Sequence, residues 1–144
     1  GWRDDQTSER LTMAIQADVR RIALALRGSE ESQSDFAFGV RVKGKLKGFA
    51  WVWKERITPK KPRVPNPAVL AVRTPTVGAR EALIAAEPTK FFTEPHYEGF
   101  PAVLVRLAAV NSKELRILLE EAWRCQAPKE LRNDIKPTVK RSKG

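Results

Sequence analysis

FAFGVRVKGKLKGFAWVWKERITPKKPR, residues Phe36–Arg63, decides how the chain is read. Apolar side chains alternate on either side of Gly44, which predicts a β-hairpin running into a proline-broken loop. Within it fall Arg41, Lys43, Lys45, Lys47, Lys54, Arg56, Lys60, Lys61 and Arg63, against a single acid, Glu55. Trp51 and Trp53 stand among these cations. A basic ribbon interleaved with aromatics points to a nucleic acid as partner.

The register of the hairpin decides what the tryptophans do. In Phe36–Val42, Phe36, Phe38, Val40 and Val42 face one way, and Ala37, Gly39 and Arg41 the other. Leu46–Trp53 is the partner strand. A two-residue turn at Gly44–Lys45 sets Phe38 opposite Trp51 and Phe36 opposite Trp53, which makes the tryptophans core. A three-residue turn at Lys43–Lys45 sets Ala37 opposite Trp51 and Arg41 opposite Lys47, which puts the tryptophans with the cations. A slip of one residue exchanges the faces, so only one arrangement can hold.

Working outward, Thr58–Pro67 carries four prolines and is expected as an exposed loop, since each proline lacks an N–H donor. Ala68–Arg73 reads as a third strand. Thr76–Glu87 reads as a helix with Ala79, Ala82, Leu83 and Ala86 inward. Lys90–Thr93 and Ala102–Val110 read as strands flanking the loop Glu94–Pro101. In Asn111–Gln126, Leu115, Leu118, Leu119, Ala122 and Trp123 share one helical face, and Asn111 with Glu114 fits a capping box. Upstream, Ser8–Arg27 is expected as one helix burying Leu11, Ile15, Val19, Ile22 and Leu26, capped by Thr7 or Ser8. Ser29–Asp35 is expected as a loop. The order α-β-β-β-α-β-β-α predicts an α+β sandwich, an antiparallel sheet packed against helices. Residues 8–127 form the expected single domain, and 128–144 a basic, flexible tail.

The chain has 144 residues, 42% of them hydrophobic, enough for one domain with a real core. Its net charge of +10 is unevenly placed. Residues 41–80 hold eleven Lys or Arg against one acid, while the segments on either side, 1–40 and 81–127, each hold five against seven. A field localised in this way draws in phosphates or another acidic partner. The single Cys125 forms no internal disulfide, and no apolar run approaches the roughly 20 residues of a membrane helix, so a cytoplasmic protein is the expectation.

Several stretches together resemble the MmcQ/YjbR-like family. These are DVRRIALA (Asp18–Ala25), the Val42–Lys45 turn before an aromatic strand, EALIAAEPTKFFTEPHYEGFPAVLVRL (Glu81–Leu107) and ELRILLEEAWRCQAPKEL (Glu114–Leu131). The resemblance covers roughly residues 11–131. It implies a CyaY-like α+β fold, a double-wing arrangement of hairpins, DNA binding and no catalytic set. Ala102, where the family often carries Trp, the Lys47–Gly48 step and the long Pro-Lys loop depart from its pattern.

Two functions follow as expectations. The first is a non-enzymatic DNA-binding protein. It would grip phosphates through Arg41, Lys43, Lys45, Lys47, Lys54, Arg56, Lys60, Lys61 and Arg63, and, if they are exposed, stack bases on Trp51 or Trp53. The alternative is a non-enzymatic protein- or small-ligand-binding module using the PHYEGFP loop, with His96 and Tyr97. No metal or cofactor is expected. The lone His96 has no partner at a metal-ligand spacing, and Cys125 reads as a helix residue. The CyaY-like fold suggests iron binding by analogy, but Asp4, Asp5, Glu9 and Asp18 are interrupted by arginines, and fold alone does not transfer function.

Overall fold

The structure, a computed structural model, describes residues 13–132. Thr7, Ser8, Leu11 and the tail beyond Arg132 lie outside the described residues. The elements are α1 (Gln16–Leu24), β1 (Ser29–Glu31), β2 (Ala37–Val42), β3 (Lys45–Glu55), β4 (Val64–Arg73), α2 (Val77–Ala86), β5 (Phe91–Phe92), β6 (Ala102–Arg106), α3 (Ser112–Gln126) and α4 (Lys129–Arg132). Short 3-10 turns occupy Pro95–Tyr97 and Leu107–Ala109. All strands pair antiparallel in one six-stranded sheet of order β1-β2-β3-β4-β6-β5. The fold is α+β, as expected. No helix among the described residues is long and apolar enough to cross a membrane.

The two faces of the sheet are covered differently. On one, Val19 and Ile22 of α1 and Leu115, Leu119, Ala122 and Trp123 of α3 pack on Phe38, Val40, Phe49, Leu70, Val72, Val103 and Val105. On the other, Val69, Ala71, Ala102 and Leu104 pack with Tyr97, and Trp51, Trp53 and Phe92 lie against them. Burial of apolar area on both faces drives the fold.

Helix α3 follows its sequence signals closely. The Asn111 side chain accepts the Glu114 N–H at 2.8 Å, and the Glu114 carboxylate accepts the Asn111 N–H at 3.0 Å. Helix α1 is shorter than expected, because residues 13–15 are not helical. The Ala14 N–H donates to the Leu107 and Val110 carbonyls, and the Ile15 N–H to the Asp18 carboxylate, so the helix starts after them and Ile15 stays exposed. In α2, Thr76 caps the start as its side chain accepts the Ala79 N–H. Its buried residue is Arg80 rather than the expected alanines, of which Ala82 and Ala86 are exposed.

Strand β1 lies in the expected Ser29–Asp35 loop. Ser29, Glu30 and Glu31 pair with Val40, Gly39 and Phe38. The strand is polar because it is a sheet edge, and its acids are held by arginines: Glu31 by Arg20 at 2.8 Å and Glu30 by Arg41 at 3.0 Å. Strand β4 also starts earlier than expected, inside the proline stretch. Val64–Asn66 pair with β3, while β6 reaches only Val69–Arg73. At Pro65 the strand therefore has one neighbour, and a missing donor breaks no ladder on the other side.

The hairpin's turn is neither of the two anticipated; Ala37 does lie opposite Trp51, as the three-residue turn predicts, but Arg41 faces Leu46 rather than Lys47. The turn is Lys43–Gly44, with φ of 52° and 83°, the two positive values of a type I′ turn. Near the tip Val42 pairs with Lys45, Val40 with Lys47 and Gly39 with Gly48; beyond it Phe38 pairs with Ala50 and Ala37 with Trp51. Phe49 is the extra residue of a β-bulge. Gly39 makes this crossing possible, since a Cβ there would meet the Lys47 carbonyl oxygen at 2.5 Å. Cross-strand partners share a face. Lys45 and Lys47 thus stand on the helix side with Val42 and Val40, and Trp51 and Trp53 on the other.

Candidate nucleic-acid interface

Strand β3 splits the basic ribbon into two ends and a middle. Lys43, Lys45 and Lys47 cluster at its start, Lys60 and Lys61 at the loop beyond its end, and the eleven residues of β3 separate the ends by about 33 Å at the usual rise per residue. All five lysines are exposed. None of their ammonium groups has a hydrogen-bond or ion-pair partner among the described residues.

The other predicted cations are engaged within the protein. Arg41 pairs with Glu30 and donates to the Gly44 carbonyl at 3.1 Å. Lys54 reaches Asp35 at 3.4 Å. Arg56 donates to the Pro59 and Lys61 carbonyls at 3.0 and 2.9 Å, which folds the Pro-Lys loop around one guanidinium. Arg63 donates to the Lys54 carbonyl at 2.9 Å and to Glu94 at 3.2 Å.

The far half of β3 meets the PHYEGFP loop, so the two stretches singled out in the sequence form one place. Trp51 donates its Nε1–H to the Tyr97 hydroxyl at 2.9 Å, and Trp53 donates to Glu94 at 2.9 Å. Glu94 joins three segments, accepting also the His96 amide at 3.0 Å and Arg63. Burial favours its neutral form, but the bonds from Trp53, the His96 amide and Arg63 outweigh burial and hold its pKa below the usual glutamate value. Tyr97 is pushed the other way, chiefly by burial, and stays a neutral phenol. Trp51, Lys54, Arg63, His96, Tyr97 and Asp35 line a cleft of about 410 Å³.

Arg80 holds this loop from beneath. Only 4% exposed, it donates from Nη1 to the Tyr97 carbonyl at 2.7 Å and the Phe100 carbonyl at 2.9 Å, and is paired with Glu81 at 2.8 Å. Each carbonyl also accepts a backbone N–H, from Phe100 and Ala102 respectively, so replacing Arg80 by Met removes the charged donor and leaves the backbone bonds in place. Arg80→Met is expected to lower unfolding stability by about 2–3 kcal/mol, the loss of hydrogen bonds from a charged donor, in chemical denaturation. A loss under about 0.5 kcal/mol would show that Arg80 does not hold the loop.

The structure thus brings Trp51, Lys54, Arg63, His96 and Tyr97 together. It leaves Arg41 with the first lysine cluster and Arg56 with the second. Asp35 and Arg80 were not anticipated; the one signal for Arg80 was a cation in an otherwise alanine-rich helix. Cys125 sits half-buried in α3, where its thiol donates to the Glu121 carbonyl at 3.4 Å. Burial pushes the thiol pKa up, the reverse of activation. Among the described residues no three His, Cys, Asp or Glu stand together as metal ligands.

An α+β protein with one antiparallel sheet, helices on one face and an aromatic loop on the other is the class these features define. The YjbR family model matches residues 24–125, and the chain belongs to that family. Uncharacterized protein Mb2600 of Mycobacterium bovis and Uncharacterized protein Rv2570 of Mycobacterium tuberculosis are each 38% identical over 120 residues, covering 83% of this chain and 93% of theirs. The crystal structure of Deinococcus radiodurans protein DR2400, with its DUF419 domain, superposes with a TM-score of 0.60 at 20% identity, covering 85% of this chain and 88% of that one. That likeness is one of fold.

Proposed function

We propose that the protein is a non-enzymatic DNA-binding protein that grips the phosphate backbone at two points, with little base specificity. The observation that carries this is the contrast among its cations. Lys43, Lys45, Lys47, Lys60 and Lys61 are exposed and lack partners among the described residues, while Arg41, Lys54, Arg56 and Arg63 are used internally. Five ammonium groups without an ion-pair partner among the described residues form a phosphate-seeking surface.

Two further features support the reading. The two ends of β3 are about 33 Å apart, close to the ~34–36 Å of one duplex turn, so both can meet backbone on one side of a duplex. Lys43 occupies the left-handed region at φ 52°, where glycine or asparagine is favoured. A cation is kept at the turn at a local cost of about 1 kcal/mol.

The test is salt dependence. Five neutralised phosphates correspond to a slope of log K against log salt near −4.5, or roughly 500-fold weaker binding at 200 mM than at 50 mM salt. Fluorescence anisotropy with a labelled mixed-sequence duplex of about 20 base pairs, two turns long, reads this directly. Affinity that barely moves with salt rules out the backbone grip.

A further inference from the structure

The walls of the cleft between β3 and the Pro95–Tyr97 turn hold more hydrogen-bond donors than the protein uses. The Tyr97 hydroxyl accepts from Trp51, and its own proton meets no acceptor among the described residues. Arg63 spends Nη1 on Glu94 and the Lys54 carbonyl, and its Nε and Nη2 meet no acceptor among the described residues. The His96 imidazole makes no hydrogen bond among the described residues and is exposed. The Lys54 ammonium has Asp35 as its one partner among the described residues, at 3.4 Å.

Unused donors, part of them on the basic side chains of Arg63 and Lys54, call for an anion. The half-buried Trp51 ring and the His96 ring call for a flat, unsaturated group. A volume of about 410 Å³ lies within the range of small-molecule sites. Trp53 has no part in this, because its ring packs on Phe92 at 5.5 Å and its N–H is spent on Glu94.

We propose that this cleft receives one unpaired nucleotide, its base against Trp51 and His96 and its phosphate on Arg63 and Lys54. This rests on the DNA-binding reading and deepens it. The lysine ends hold flanking backbone, and the cleft takes a nucleotide that duplex pairing does not hold. The Tyr97 hydroxyl donates to the phosphate or to a base carbonyl.

The experiment uses the full chain and three probes: a paired duplex, the same duplex with one bulged thymidine, and thymidine 5′-monophosphate. Anisotropy gives the affinities of the two duplexes. The ring resonances of the chain's single histidine, His96, report on the cleft for all three. The bulged duplex is expected to bind about tenfold tighter than the paired one, within the range of single base-stacking contributions. It and the mononucleotide are both expected to move the His96 signals. In the double variant Lys54→Ala, Tyr97→Phe the preference for the bulge is expected to fall to about one. Equal affinity for both duplexes in the parent protein, with His96 signals unmoved by the bulge or the mononucleotide, overturns the proposal while leaving the backbone grip intact. Failure of either duplex to bind removes the backbone grip and this proposal with it, whatever the mononucleotide does.

Discussion

Replacing Lys43, Lys45, Lys47, Lys60 and Lys61 together by alanine is expected to weaken duplex binding by more than about 100-fold at 50 mM salt and to flatten its salt dependence. Each lysine that neutralises a phosphate releases counterions, and that term supplies essentially all of sequence-independent affinity. All five side chains are exposed and none is bonded to another described residue, so the variant should keep its fold. An unchanged circular dichroism spectrum and melting temperature serve as the control. The two partial variants divide the grip. Changing Lys60 and Lys61 alone should reduce the slope by about 2, and changing the hairpin three by about 3. Affinity of the fivefold variant within threefold of the parent would falsify the backbone reading outright, whatever the parent's salt curve looks like.

Trp123→Ala is expected to cost about 3–5 kcal/mol of unfolding free energy, the largest effect of any single substitution considered. Trp123 has no exposed surface and heads the fully buried side chains by volume. Its indole N–H donates to the Arg27 carbonyl at 2.8 Å, tying α3 to the end of the α1 segment. Alanine opens a cavity beneath the sheet and also leaves that carbonyl without its donor. Domains of this size have about 5–15 kcal/mol in all, so the variant sits near the threshold of folding. The denaturation midpoint should fall with the slope unchanged, since the fold is lost as a unit. A loss below about 1 kcal/mol would show that α3 is not seated on the sheet through this ring.

How much of this was legible in the sequence depends on how local each determinant is. Helix α3 could be read almost to the residue, because its cap, its apolar stripe and its proline stop lie within one stretch. The bounds of α2 could likewise be read to within a residue, Thr76–Glu87 expected against Val77–Ala86. Helix α1 was overextended because its start is set by the Leu107 and Val110 carbonyls, far away in the chain. Strand β1 was invisible because an edge strand of Ser-Glu-Glu needs no apolar alternation once Arg20 and Arg41 neutralise it. Proline in β4 misled because only tertiary context shows that Pro65 pairs on one side. The lysines were legible as a charged surface, but not which cations were already spent, since Glu30, Asp35 and Glu94 come from other segments. The meeting of Trp51 with Tyr97, 46 residues apart, lay beyond any local pattern.

The unpaired residue at Phe49 has a consequence for how this hairpin can change length in evolution. It divides one strand into two reading frames. In the first, alternate positions serve the lysine tip; in the second, they serve the tryptophan cleft. Because Phe49 and Ala50 are both fully buried on the helix side, the frame changes there without exposing apolar surface. The last residue of α3 secures the junction, as Gln126 donates to the Gly48 carbonyl at 2.9 Å. Two-residue insertions or deletions at the tip preserve both frames. A single-residue change at the tip has to be absorbed at Phe49, whereas deleting Phe49 itself would leave Gly48 and Ala50 paired in unbroken register with Gly39 and Phe38, so that Trp51 keeps its face and the core loses only the Phe49 ring.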